Sequence, residues 1–336
     1  MKNLRAAAVL WGSPAVAGIL VACAGGPSQL APGSGASAQD ILLAKHPAGI
    51  STRPSLGRSW MEPKVRGALL YVADAGNNDV FVYSWPALHL IGNLSGFKVP
   101  QGECADSAGN VWIANTKRSQ LLEFARGGLK PIKTLDDPGQ YPVGCSVDTT
   151  TGDLAVTNII SRSYGPGSLS IYKAAGGSSK TFSDPNFEKV YFDGYDRNGN
   201  VYVDGIDDNG SFTIAKFDGK KFELLTVSGA RINAPGAVQV KGSTIDVEDQ
   251  SGVTGYSAMY ETTLKGSTLT VVASAQFNDG VDCVGTFIAG GAKHEQAVCP
   301  DAGTPAVYVY KYPAGGNPTK SVLTGLNDPE GAVIIR

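Results

Sequence analysis

The stretch PQGECADSAGNVWIAN, residues 100–115, reads as a short apolar run ending at Asp106, a turn with Gly109 where the chain needs positive φ, and a second apolar run. That is a β-hairpin. The same pattern returns at residues 142–158, where PVGCSVD leads through Gly152 to LAVTN, and at residues 196–204, DRNGNVYVD. A third apolar run follows in several units, as in residues 121–124 (LLEF), 169–172 (LSIY) and 307–310 (VYVY). Lys-Thr segments such as 133–138 (KTLDDP) and 180–185 (KTFSDP) supply a fourth. The related segment TGLNDP at 324–329 lies 144 residues beyond Pro185, three spacings like the 47 between Pro138 and Pro185.

Four strands in a unit of about 42–48 residues is the period of a propeller blade. Six inner strands are predicted, near 102–107, 144–149, 190–195, 236–240, 281–287 and 331–336. The last has no partner after it in the chain, while the strand at 69–74 has no convincing partner before it. Joining the two makes one whole sheet from both ends of the chain and leaves no edge hanging at the seam. The expected fold is therefore all-β, a six-bladed β-propeller of four-stranded antiparallel blades over residues 67–336, closed by the C-terminal strand. It is expected to be a monomer.

With the repeat in view, LYVADAGNNDVFVY (70–83) and residues 102–115 resemble NHL-type repeats of six-bladed propellers. The resemblance covers about 270 residues and is sharpest in the first three units. It implies the fold and leaves the activity open, because such propellers include scaffolds, ligand binders, lyases and lactonases.

Residues 1–23, MKNLRAAAVLWGSPAVAGILVAC, carry Lys2 and Arg5 before an apolar run broken by Gly12, Pro14 and Gly18, the pattern of a secretory signal. LVAC at 20–23 matches a bacterial lipobox, with Cys23 as the lipidated residue; cleavage after Ala22 or Ala24 without lipidation is the alternative. Residues 24–66 are expected to be a flexible Gly/Pro/Ser-rich tether and lead-in. The protein is thus expected at the bacterial cell envelope, touching membrane only through its lipid, or secreted. A formal charge of −2 on 336 residues argues against nucleic-acid binding.

Export permits disulfides. Cys104 lies two residues after its repeat glycine and Cys145 one residue after its own, so they point to opposite faces of neighbouring blades and toward each other. Cys283 and Cys299 flank a turn about Gly291 and suit a cross-strand bridge. Four free thiols is the other possibility.

Propellers of this kind place ligands at a channel mouth, expected here where inner strands begin and second strands end. The residues expected to bind are Glu103, Asn115, Asn158, Asp193, Asp282 and Glu330, with Asp74 and Glu248 nearby. Carboxylates mixed with amides suit Ca²⁺, and gluconolactonase-type propellers hold a metal in a similar way, by analogy only. The acidic turns at 196–200 and 207–210 fit hairpins better than calcium loops. With three histidines and no Gly-x-Ser-x-Gly elbow, no catalytic constellation emerges. The expected function is a non-catalytic module that binds a small molecule or protein at the channel mouth. The alternative is a metal-dependent lactonase or lyase with ligands among Glu103, Asn158, Asp193 and Asp282.

Overall fold

The computed structural model describes residues 57–252, 254–291 and 294–336. The signal, the lipobox with Cys23 and most of the expected tether lie outside the described residues.

Among the described residues, twenty-five strands and two short 3₁₀ turns form a propeller-like arrangement of antiparallel sheets. In the second sheet, Pro100–Ala105, Val111–Asn115, Gln120–Phe124 and Pro131–Asp136 follow one another as a meander. The third sheet repeats this with Gln140–Val147, Leu154–Ser161, Ser168–Tyr172 and Lys180–Phe182. The last sheet is Phe287–Ala289, Gln296–Asp301, Ala306–Lys311 and Lys320–Val322. The hairpin reading holds at its turns: Asp106 Oδ1 accepts from the Ala108 and Asn110 amides, and Gly109 has φ +82°. Asp196 and Asp207 accept in the same way from Asn198 and Asn200 and from Asn209 and Ser211, so both acidic turns are closed on their own backbone.

Between the third and last sheets lies one sheet of eight strands. Its halves are two meanders, from Lys189–Tyr195 to Phe222–Ser228 and from Pro235–Lys241 to Thr268–Gln276. They join where Thr226, Val227 and Ser228 pair in parallel with Thr268, Leu269 and Thr270.

The first sheet draws on both ends of the described chain. Pro329–Ile335 pairs antiparallel with Ala68–Asp74, from Leu69 opposite Ile335 to Asp74 opposite Pro329. Asp79–Trp85 and Leu90–Leu94 continue the sheet. The sequence assigned residues up to 66 to the lead-in, yet Trp60–Met61 adds a short outer strand, with Trp60 opposite Asn93 and Met61 opposite Gly92. This pairing covers an edge that would otherwise present free backbone groups.

The core fills the wedges between facing sheets. Cys104, Trp112, Leu121, Cys145, Leu154 and Tyr172 pack between the second and third. Leu70, Val72, Phe81, Val298, Val307 and Val309 pack between the first and last. Toward the axis the inner strands are too close for side chains at certain positions. A Cβ on Gly102 would lie 2.4 Å from the Val143 carbonyl oxygen, and one on Gly331 would lie 2.5 Å from that of Gln101. These repeat glycines are there so that backbones can meet.

Candidate functional site

Five inner strands carry a register shift in their pairing with the second strand, at Pro100/Glu103, Pro142/Gly144, Val190/Asp193, Pro235/Val238 and Pro329/Gly331. A bulge bends the strand and re-aims the side chains beyond it. In both halves of the eight-stranded sheet an acid of the second strand takes up the freed amide: Asp204 Oδ1 accepts from Phe192 at 2.9 Å and Glu248 Oε2 from Ala237 at 2.8 Å.

Counting from the bulge, Glu103, Cys145, Asp193, Val238 and Ala332 are equivalent, each opposite a β-branched residue: Ile113, Val156, Val203, Val247 and Val72. The residues after them, Cys104, Ser146, Gly194, Gln239 and Val333, point to the opposite face. Each junction between inner strands therefore pairs one position of each kind. Cys104 and Cys145 form a disulfide with Cα atoms 5.7 Å apart. Ser146 Oγ donates to Asp193 Oδ2. A Cβ on Gly194 would lie 2.7 Å from the Val238 carbonyl oxygen, so these backbones touch. The Gln239 amide bridges both backbone groups of Ile288, at 3.1 and 2.8 Å. Where the C-terminal strand meets the second sheet, the positions hold Val333 and Glu103.

These junctions surround a cavity of about 600 Å³. It opens where inner strands finish and turn into second strands, with Thr149, Asp196, Arg197 and Gly242 among the turn residues. This corrects the expectation of a mouth at the opposite end. Glu103 and Asp193 line the cavity; Asn115, Asn158, Asp282 and Glu330 do not. Asn115 Oδ1 accepts from the Lys98 amide at 2.7 Å, and Asn158 Nδ2 donates to Ser168 and Ser170 at 3.1 Å each. The Asp282 amide donates to Asp301 Oδ1 at 3.0 Å. Glu330 is buried beside Gly331 of the closing strand. Asp74 accepts from Asn77, Asn327 and Asp328, tying the ends of the first sheet together.

The cavity wall has two chemical sides. One carries Glu103, Ser146 and Asp193; the other carries Val238, Val240, Phe287, Ala332 and Val333. Neither carboxyl oxygen of Glu103 has a well-formed hydrogen bond among the described residues, and both are out of contact with water. Burial pushes its pKa well above the usual carboxylate range, opposed by the Ala73 backbone. Asp193 is 6% exposed, and its Oδ1 is likewise without a partner among the described residues. Burial raises its pKa to about 7, against the lowering influence of the nearby Ser146 and Thr157 hydroxyls, of which Ser146 donates to it. Glu248 also rises, to about 8 by burial, but its oxygens are taken up by Ala237 and by the amide and hydroxyl of Thr286.

The basic groups at this end differ in their freedom. Lys241 Nζ lies 3.0 Å from both oxygens of Glu295 and 3.1 Å from Asp246 Oδ2. Arg197 is exposed on its turn. Among the described residues, no cluster of three or more His, Cys, Asp or Glu side chains could share a metal ion. Of the donors expected for Ca²⁺, only Glu103 and Asp193 are among the residues lining this cavity.

The second cysteine pair, Cys283–Cys299, also forms a disulfide, with Cα atoms 5.2 Å apart. It ties the segment leading into the last sheet to that sheet's second strand. The sequence missed the bulge and hence the equivalence of the junction positions. The signal was present as the spacing from each repeat glycine, used only for the cysteines.

No family model matches the chain, and no curated protein sequence matches it. Solved structures do. A nidogen/laminin complex superposes with a TM-score of 0.58 at 13% identity, over 80% of this chain and 99% of that one. A protein of unknown function from Bacteroides caccae gives 0.58 at 12%, over 81% and 100%. A functionally unknown protein from Desulfotomaculum acetoxidans gives 0.54 at 12%, over 80% and 99%. At these identities the likeness is one of fold: a propeller-like all-β architecture.

Proposed function

We propose that this chain is an exported, membrane-anchored six-bladed propeller of NHL-like type that binds a small molecule or partner segment in its central cavity without transforming it. The eight-stranded sheet then counts as two blades. Each half has its own bulged inner strand, and only their outermost strands pair. Two disulfides suit the oxidising side of a membrane. Anchoring through Cys23 is tested by metabolic labelling with palmitate, which wild type should incorporate and Cys23→Ser should not.

The observation that carries the binding reading is the cavity itself. A pocket of about 600 Å³ is within the range that holds small ligands, and convergent polar groups on a largely apolar wall are what such sites present. Here the polar lining includes Ser146, Asp193, Gln239, Lys241 and Glu295. Ligand-observed NMR with a library of neutral, cationic and anionic fragments tests it. Thr149 stands on an exposed turn at the cavity's edge, so Thr149→Trp should obstruct entry while leaving the sheets intact. Hits that bind wild type and fail with this variant support the reading. Hits that bind both alike place the site elsewhere.

A further inference from the structure

We infer that the end of the propeller opposite the cavity mouth docks on an anionic phospholipid surface, through a basic sector formed by Arg58, Lys98, Lys117, Arg118 and Arg162. This rests on the anchoring reading above and adds the face that meets the membrane.

Strand direction sets these residues at one end. The second strands Val111–Asn115 and Leu154–Ser161 finish there, and Arg118 and Arg162 follow them. Lys98 lies between the outer strand Leu90–Leu94 and the inner strand Pro100–Ala105, where the first ends and the second begins. The segments touch. The Lys117 amide donates to the Lys98 carbonyl at 3.1 Å, and Arg162 Nη1 of the third sheet reaches the second, donating to Ser119 Oγ at 3.1 Å. The described chain starts beside them. The Ser95 amide donates to Ser59 Oγ at 3.0 Å, so Arg58 sits at this end and the chain leading back to Cys23 departs from it.

Arg58, Lys98, Arg118 and Arg162 are exposed, and Lys117 is partly so. Lys98, Arg118 and Arg162 form no ion pair among the described residues. The Arg162 guanidinium meets the Ser119 hydroxyl and, at 5.3 Å, the Tyr141 ring, neither of which cancels its charge. Asp136 is an exposed acid in the sector, and its Oδ1 accepts from Gln120 Nε2 at 3.0 Å. Asp208 and Asp279, exposed acids of the same end, lie away from it, in the eight-stranded sheet and before the last sheet. The whole chain has a formal charge of −2, which an anionic surface repels. Attraction therefore has to come from segregated charge.

A lipid surface fits this sector better than a compact anion does. The cations are spread along the edges of the first, second and third sheets, which suits a plane of phosphates. Each Lys or Arg brought near such a plane strengthens binding roughly fivefold. Exposed aromatics flank the sector: Trp60, 43% exposed, beside Ser59, and Tyr164, 50% exposed, just after Arg162. Such rings settle at headgroup level, with one end apolar and the other wet. Between Cys23 and Gly57 stand 33 residues, up to roughly 110 Å of extended chain. A lipid at Cys23 therefore does not by itself decide which face meets the bilayer. The basic sector decides it, and the cavity mouth at the other end then faces away from the lipid.

The test is vesicle sedimentation of the full chain carrying Cys23→Ser, so that no acyl group contributes. Vesicles of phosphatidylcholine alone are compared with vesicles containing one-third phosphatidylglycerol, at low and at high potassium chloride. The anionic vesicles should bind at least about a hundredfold more tightly at low salt, as three or more surface cations imply. High salt should remove most of that preference. Adding Lys98→Gln with Arg118→Gln should weaken binding to the anionic vesicles about thirtyfold. Lys220→Gln with Lys221→Gln removes the same charge from an exposed turn at the mouth end and should leave binding unchanged. On vesicles carrying brominated lipid, Trp60 fluorescence should be quenched, and Trp60→Phe should lose that component.

The inference is overturned if both kinds of vesicle bind alike, or if the two double variants weaken binding equally, since net charge would then be responsible. It is also overturned if inorganic phosphate at matched ionic strength releases the protein where chloride does not, because the sector would then hold free anions. Vesicles that bind while Trp60 stays unquenched would assign the contact to another face. Palmitate labelling separates this inference from the reading beneath it. Incorporation with no preference for anionic vesicles keeps the anchor and removes the docking face. A preference without incorporation keeps the face and removes the anchor.

Discussion

At the junction between the second and third sheets the paired positions hold two sulfurs, covalently joined. At the junction between the closing strand and the second sheet the same positions hold Val333 and Glu103, and the carboxyl oxygens meet no well-formed donor among the described residues. Both junctions face one cavity and share one backbone geometry, so the difference lies in side chains alone. The first kind of junction holds the ring together. The second leaves chemical capacity unused by the fold. The Ser146–Asp193 junction stands between them, with one oxygen committed and the other not.

Removing the structural end of this comparison should have the largest effect. Cys104→Ser with Cys145→Ser opens a 41-residue separation and should cost about 4 kcal/mol by loop entropy. The corresponding change at Cys283 and Cys299, separated by 16, should cost about 3 kcal/mol. Urea unfolding measures both. Equal losses would show that strain or packing, not loop closure, governs these bridges.

Next is pH. Because burial raises the Asp193 pKa to about 7 from the ordinary 3.8, the folded protein keeps a proton that the unfolded chain releases at lower pH. The stability this contributes is complete below about pH 4 and declines as pH climbs to about 7. Between pH 5 and 7 wild type should lose about 2 to 3 kcal/mol more than Asp193→Asn. Glu248, raised to about 8, extends the decline in both proteins, and the difference between them isolates Asp193.

Ser146→Ala should be milder, about 1 to 2 kcal/mol, by orphaning the second oxygen of a buried carboxyl. It should also move the Asp193 midpoint higher. At the other end of the scale, Glu103→Gln should change stability by less than about 1 kcal/mol, since it removes a buried group with little to hold it. A large loss there would mean that Glu103 is part of the framework.

Much of the architecture was legible because the repeat is strong. The hairpin turns at Asp106 and Asp196, the pairing of 329–335 with the strand ending at Asp74, and both cysteine pairs follow from spacing and the two-residue alternation of strands. Other features depend on registers that spacing does not specify. The inner strand expected at 281–287 is instead Phe287–Ala289, displaced where Gly285 takes φ +58° and approaches the Glu330 carbonyl. The parallel joining of two outer strands and the short strand at Trp60–Met61 involve exposed edges with no periodic signature. Asn115 and Asn158 carry the residue types of a ligand site, but they lie at second-strand ends, where the side chains are consumed within the sheet. Glu103 and Asp193 line the cavity because a bulge precedes each, a detail set by backbone packing around the axis.

The account rests on burial keeping the acid at the junction with Ser146 protonated up to neutrality, and carboxyl ¹³C titration of Asp193 by NMR reads that state at the group itself. A midpoint near 7 is the expected result. A midpoint near 4 would contradict it.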